Sequence, residues 1–353
     1  MSDAIDYAKE YDNSGRVPNA DELIELYQMD ASFYREQRAE HCDLDKRYGQ
    51  GERNRLDVFW PDEGKDVPLV MFIHGGYWQR LDRKSFSHMA SGLNDHGIAV
   101  AIPSYTLCPQ ISVMGIINEM RRACILLHQS YGREIVTIGH SAGGHLSACM
   151  MATDWAAIHP DLPDDLVTAG MGISGLYDLA PILQTPINGA LKLDEQSAHA
   201  ASPHYWVPEG LHKFEAWAGE EESSEFHRQS RELAERWTML GTPTNYVSVE
   251  GKNHFTVVDP LTRGNSAMVE KIVELVAAPA IEIELDPKKT KPKKPKAPEK
   301  KAETSKTKPR KTAATKPKTP AKTKASTAST NKGKKTAKTD ESKTKAAEKT
   351  KGG

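Results

Sequence analysis

Cysteine is scarce in this chain. Only Cys42, Cys108, Cys124 and Cys149 occur among 353 residues, far apart and with no C-x-x-C spacing. This excludes a disulfide-stapled scaffold and suits reduced thiols in a cytoplasmic protein. Long apolar runs are missing as well. None approaches the length of a bilayer span, so no membrane partner is expected. The opening Met1-Ser2-Asp3-Ala4-Ile5-Asp6 is acidic without an apolar core, so a secretory signal is not expected either. The sharpest absence lies at the other end. Residues 287–353 contain no Leu, Ile, Val, Met, Phe, Tyr, Trp or Cys. Such a segment cannot bury enough apolar surface to offset its chain entropy, so it reads as a disordered tail rich in Lys, Pro, Ala and Thr.

Charge divides at the same boundary. The whole chain is nearly neutral, with 47 basic and 48 acidic residues. The tail holds 24 Lys+Arg against 5 Asp+Glu, which leaves 23 basic and 43 acidic residues in 1–286. An acidic body of net −20 is thus joined to a basic tail of net +19. The tail composition is similar to that of linker-histone tails. The likeness implies non-specific binding of nucleic acid or another polyanion through counterion release. The alternative is a solvated tail, or one that folds back on the acidic body. Without aromatics to stack on bases, a base-specific reader is not expected.

In the body, strand and helix signals alternate. Residues 1–47 read as an N-terminal arm with a helix over Asp21–Tyr34, carrying Leu23, Leu26, Tyr27 and Phe33 at helical spacing. Residues 48–282 read as one α/β domain. A hairpin is expected over Lys46–Trp60, with its turn near Gly49-Gln50-Gly51 and its second strand at Arg55–Phe59. Pro68–Ile73, Ile98–Pro103, the run from Ile135 and Val167–Ile173 are continuous apolar strands of the kind buried on both faces. Two more strands are expected over His212–Ala218 and Thr244–Val249. Helices are expected over about 83–95, 112–128, 225–240 and 266–278. The alternation predicts a mostly parallel, doubly wound sheet with helices on both faces. Residues 180–210, with Pro181, Pro186, Pro203 and Pro208 and no clear period, read as a lid or pocket wall at the carboxyl edge of the sheet.

The chemistry centres on Gly139-His140-Ser141-Ala142-Gly143, a G-x-S-x-G turn between a β-branched run and a helical pattern. That is the layout of a nucleophile elbow, which lifts a serine hydroxyl clear of the sheet. A serine needs a base in hydrogen-bond reach and a third group to orient that base. His254 follows the last strand in the required chain order, flanked by Gly251 and Asn253. The acid is expected in the preceding strand-end loop, where Glu222 is favoured and Glu220 and Glu221 remain open. Asp178 is an outside candidate, and Glu225 suits a helix N-terminus. An acyl-transfer site also needs donors for a tetrahedral oxyanion. These are expected from the backbone N–H of Ala142 and from the His74-Gly75-Gly76-Tyr77-Trp78 loop. Tyr77 and Trp78 are candidates for the wall of an aromatic substrate pocket, with packing at its rim the equal alternative.

With these motifs in place, the chain resembles the α/β-hydrolase superfamily, and more narrowly the arylformamidases (kynurenine formamidases). The likeness covers roughly residues 10–280. It rests on H-G-G-Y-W at 74–78, S-Y-T-L-C-P at 104–109, G-H-S-A-G-G-H-L at 139–146, S-G-L-Y-D-L at 174–179, E-F-H-R-Q-S at 225–230 and G-K-N-H-F at 251–255. It implies an α/β-hydrolase fold, Ser141 as nucleophile, His254 as base, and Gly75, Gly76 and Ala142 as oxyanion donors. It further implies a small-molecule formamide or ester substrate, N-formylkynurenine foremost, with no cofactor or metal. The family more often carries aspartate where this chain has Glu222. Esterases share the H-G-G signature, so a short-chain carboxylesterase is the alternative. A nucleic-acid-associated protein that has lost catalysis is a third.

Overall fold

Eight strands form one sheet, in the order β1-β2-β4-β3-β5-β6-β7-β8. The strands are β1 (Cys42–Arg47), β2 (Arg55–Phe59), β3 (Leu69–Ile73), β4 (Ala99–Pro103), β5 (Ile135–His140), β6 (Val167–Ile173), β7 (Lys213–Gly219) and β8 (Thr244–Val249). The β1–β2 and β2–β4 pairs are antiparallel and the remaining five are parallel. The structure is a computed structural model and describes residues 4–208 and 212–278. The basic tail, residues 287–353, lies outside the described residues.

Five longer helices matter for the site: α1 (Ala20–Gln37), α2 (Val113–Tyr131), α3 (Ala142–Met151), α4 (Ser224–Met239) and α5 (Ala267–Ala277). Strand β3 explains why its apolar run is continuous. Leu69, Met71 and Ile73 join the core under α2 and α3, while Val70 and Phe72 join the core under α1 and α5. Helix α2 starts at Ser112, whose hydroxyl accepts the Gly115 N–H at 3.2 Å, and stops at Gly132 in the left-handed region. Its inward Val113, Ile116, Ile117, Met120 and Leu127 are fully buried. Each such side chain contributes about 1.5–3 kcal/mol relative to exposure. The four cysteines are all free. No described helix is long and apolar enough to cross a membrane.

Three local expectations are corrected. The 83–95 stretch is a chain of short turns rather than one helix: Arg83–Ser85, Ser87–Ala90 and Ser91–Asn94. Phe86 leaves helical geometry (φ −128°, ψ 12°) and buries its ring beneath the site. In α1 the buried face is Ala20, Tyr27, Ala31 and Tyr34, whereas Leu26 and Phe33 are exposed. The hairpin's first strand begins earlier than expected, at Cys42, and slips register between Asp43 and Lys46.

Candidate active site

Strand β5 delivers Ser141 at the carboxyl edge of the sheet, and α3 begins at the next residue. Ser141 itself carries the strain, with φ 57° and ψ −118°. Holding a non-glycine residue there costs on the order of 1–3 kcal/mol, a cost the surrounding fold must offset. The flanking glycines serve close approach instead. A Cβ on Gly143 would meet the Ile73 carbonyl oxygen at 1.9 Å, and one on Gly139 would meet that of Gly143 at 2.1 Å. Strand β3 and helix α3 therefore pack backbone to backbone behind the serine.

The loop after β8 brings His254 to it. His254 Nε2 lies 3.1 Å from Ser141 Oγ, and Nδ1 lies 2.7 Å from Glu222 Oε2. A carboxylate only accepts, so Nδ1 carries the hydrogen and Nε2 is left to accept from the serine hydroxyl. Glu222 sits in the turn after β7, where its N–H donates to the Gly219 carbonyl at 3.1 Å. Its second oxygen accepts the Gly219 N–H at 2.6 Å and the hydroxyl of Ser174. All three side chains are buried. Of the other acids, Glu220 and Glu221 are exposed and Glu220 accepts from Gly251 N–H. Asp178 accepts from Ala180 N–H, and Glu225 pairs with Arg228 and accepts from Tyr11. Among the described residues Glu222 alone reaches His254.

The loop after β3 faces the serine. His74 is buried in a stack with Tyr105 at 4.4 Å and Phe86 at 5.8 Å, and its Nδ1–H donates to the Gly75 carbonyl. Burial pulls its pKa down to about 4, so it stays neutral and holds the loop. Gly76, Tyr77 and Trp78 then take positive φ in succession, at 110°, 51° and 58°. A run of this kind in two aromatics is strained backbone at the site. Among the described residues, nothing accepts from the N–H groups of Gly75, Gly76 or Ala142. Ala142 also opens α3, so the helix dipole adds positive potential there.

Tyr77 and Trp78 part company. Tyr77 lines the cavity at Ser141, and its hydroxyl donates to Tyr11 O (2.6 Å) and accepts from Asn13 (2.7 Å). Trp78 is fully buried, its indole edge-on to His145 at 5.1 Å, and it lines no part of that cavity. Its ring supports the loop from behind and is not a pocket wall.

The cavity at Ser141 is small, about 30 Å³ of space for water-sized centres, and is closed by Asn13, Ile24 and Tyr27 of the N-terminal arm. That is room for roughly two waters. A larger cleft of about 550 Å³ adjoins it and shares Asn13, Tyr77 and Arg80 with it. From the 180–210 stretch, Thr185, Pro186 and Ile187 line this outer cleft and none lines the inner cavity. The arm lines the inner cavity, and the 180–210 insert lines the outer cleft. The arm is tied down by Tyr11, whose hydroxyl donates to Glu225 (2.8 Å) and accepts from Gln229 (2.6 Å), and by Tyr27 donating to the Phe255 carbonyl.

Comparison with known proteins gives the chain's family. Residues 56–237 match the BD-FAE family. Kynurenine formamidase from Danio rerio is 30% identical over 241 residues, covering 66% of this chain and 81% of that protein. The same enzyme from Salmo salar is 30% identical over 244 residues with the same coverage. A crystal structure of a thioesterase candidate from Silicibacter sp. tm1040 superposes with a TM-score of 0.69 at 31% identity, covering 78% of this chain and all of that one. The chain belongs to the BD-FAE family of α/β hydrolases, alongside the kynurenine formamidases. It is a hydrolase.

Two residues of this BD-FAE hydrolase's site escaped the sequence reading. Ser174, at the head of S-G-L-Y-D-L after β6, donates to Glu222. His140, next to the serine, donates through Nε2–H to the His254 carbonyl at 2.8 Å, and its ring packs tilted against the His254 ring at 4.8 Å. Burial, and then the nearby His254, hold the His140 pKa well below its ordinary value. A position at the end of a strand, His140 as the last residue of β5 and Ser174 just after β6, was the available signal for both. Among the described residues no three His, Cys, Asp or Glu side chains converge as metal ligands would.

Proposed function

We propose that this hydrolase removes a small acyl group, a formyl group on an aromatic amine, through a Ser141–His254–Glu222 triad. The observation that carries the reading is the unbroken hydrogen-bonded line from Ser141 Oγ through both nitrogens of His254 to Glu222. Ser141 Oγ attacks the formyl carbon while His254 Nε2 takes its proton, and Glu222 stabilises the imidazolium. The N–H groups of Gly75, Gly76 and Ala142 receive the oxyanion, each worth about 10²–10³ in rate. The C–N bond breaks as His254 returns the proton to the aniline nitrogen. Water, deprotonated by His254, then attacks the formyl ester; formate leaves and Ser141 recovers its proton. Similarity to proteins named kynurenine formamidase makes N-formylkynurenine the first substrate to test.

A short-chain carboxylesterase is the second reading. A probable isoprenylcysteine α-carbonyl methylesterase from Arabidopsis thaliana is 26% identical over 266 residues. Formate release from N-formylkynurenine, measured beside hydrolysis of short p-nitrophenyl esters, separates the two. Ester turnover without formate release overturns the formamidase reading.

For residues 287–353 we propose non-specific binding of a polyanion such as DNA, supported by 24 basic residues against 5 acidic ones. Deleting the tail is expected to abolish DNA retention at low salt. Unchanged retention would remove this role.

A further inference from the structure

Arg80 stands where the inner cavity meets the outer cleft and lines both. It lies two residues after the strained Gly76–Trp78 turn, and its own N–H donates to the Gly76 carbonyl at 3.1 Å. The side chain is therefore launched from a backbone as fixed as the oxyanion loop itself. Arg80 is exposed, and among the described residues its guanidinium makes no hydrogen bond or ion pair. Other arginines of the body are committed: Arg35 and Arg83 to Asp57, and Arg228 to Glu225 and Glu232. The acid in the cleft lining, Asp12, accepts the Gly15 N–H at 2.9 Å as a helix cap. Residues 1–286 carry a net charge of −20, so an anionic substrate meets general repulsion. The exceptions in the cleft lining are Lys9, at its outer side, and the guanidinium of Arg80, which alone of the two also lines the catalytic cavity.

We infer that Arg80 is a specificity residue that binds an anionic group on the substrate, at the end remote from the scissile bond. This rests on the formamidase reading above and adds to it the residue that holds the substrate's carboxylate. With the formyl group in the inner cavity, the ring and its amino-acid side chain extend into the outer cleft, past Tyr77. The α-carboxylate then meets the planar donor fork of Arg80, which suits a carboxylate better than a lysine would.

The test uses the full chain and two substrates, N-formylkynurenine and 2-formamidoacetophenone, which keeps the formamide and ring but lacks the amino-acid group. The readout is the ratio of their kcat/KM values, so general damage to folding cancels. Wild type is expected to favour N-formylkynurenine. R80Q is expected to lower that ratio by about 10- to 100-fold, the scale of a charge-assisted hydrogen bond, with the loss in KM. R80K is expected to restore part of it. A ratio unchanged in R80Q, or a wild type that favours neither substrate, overturns the Arg80 assignment while leaving the formamidase reading intact. A wild type that cleaves neither formamide overturns the formamidase reading and this inference with it.

Discussion

Replacing Glu222 with glutamine probes the part of the site that the sequence left most open. One glutamate oxygen accepts from Gly219 N–H and Ser174 Oγ–H, so that position must remain an oxygen in the glutamine. The amide nitrogen is then forced to the other position, 2.7 Å from His254 Nδ1 in the native geometry. An NH₂ there donates, so Nδ1 becomes the acceptor and the hydrogen moves to Nε2, facing Ser141. The imidazole is left in place with the wrong tautomer. The corresponding change in serine proteases lowers kcat by about 10⁴. We predict a fall of about 10³–10⁴ in kcat here, or about 4–5.5 kcal/mol at 1.36 kcal/mol per decade. Purified E222Q and wild type would be compared for formate release and p-nitrophenyl acetate hydrolysis, with thermal melts to show that both are folded. Glu220→Gln and Glu221→Gln, both exposed, are expected to stay within about twofold. A folded E222Q within tenfold of wild type would refute the argument.

Gly143→Ala places a Cβ 1.9 Å from the Ile73 carbonyl oxygen, a backbone atom that cannot swing aside. It should cost several kcal/mol and show as a large loss of Tm and soluble yield. Trp78→Ala removes a fully buried indole, and a loss of about 3–5 kcal/mol in chemical denaturation is expected, with KM following only as the loop loosens. Phe33→Ser, on the exposed face of α1, should change stability by less than about 0.5 kcal/mol. Burial holds the pKa values of His74, His88 and His145 down at about 4, from ordinary values of 6.5. These imidazoles are neutral in the folded chain and take up protons on unfolding. Their contribution is therefore intact above pH 6.5 and is lost as pH falls from 6.5 to about 4. Each costs about 1.4 kcal/mol per pH unit in that window. A Tm flat from pH 7 to 4.5 would contradict this.

The strands were legible because their signal is local. A continuous apolar run such as Leu69–Ile73 has few fates other than a strand buried on both faces, and the elbow announced its turn. The 83–95 stretch was not, since Phe86 leaves helical geometry to fill space beneath His74, a partner its neighbours do not reveal. In α1, apolar residues sit on both faces, and Tyr27 and Tyr34 are buried by long-range packing where Leu26 and Phe33 are not. At the site, Ser141 and His254 followed from chain order and strand ends. Choosing among three consecutive glutamates depended on the turn from Gly219 to Glu222, set by a hydrogen bond. The closing role of Asn13, Ile24 and Tyr27 depended on contacts spanning from dozens to more than two hundred residues, which no local pattern encodes.

The most direct test of the whole account is the rate of formate release from N-formylkynurenine by Ser141→Ala beside wild type. Loss of a serine nucleophile removes about 2 × 10⁶ in kcat where it has been measured in a comparable triad. The account predicts rapid release by wild type and a fall of at least about 10³-fold in the variant. A Ser141→Ala enzyme that still releases formate within tenfold of wild type would contradict it.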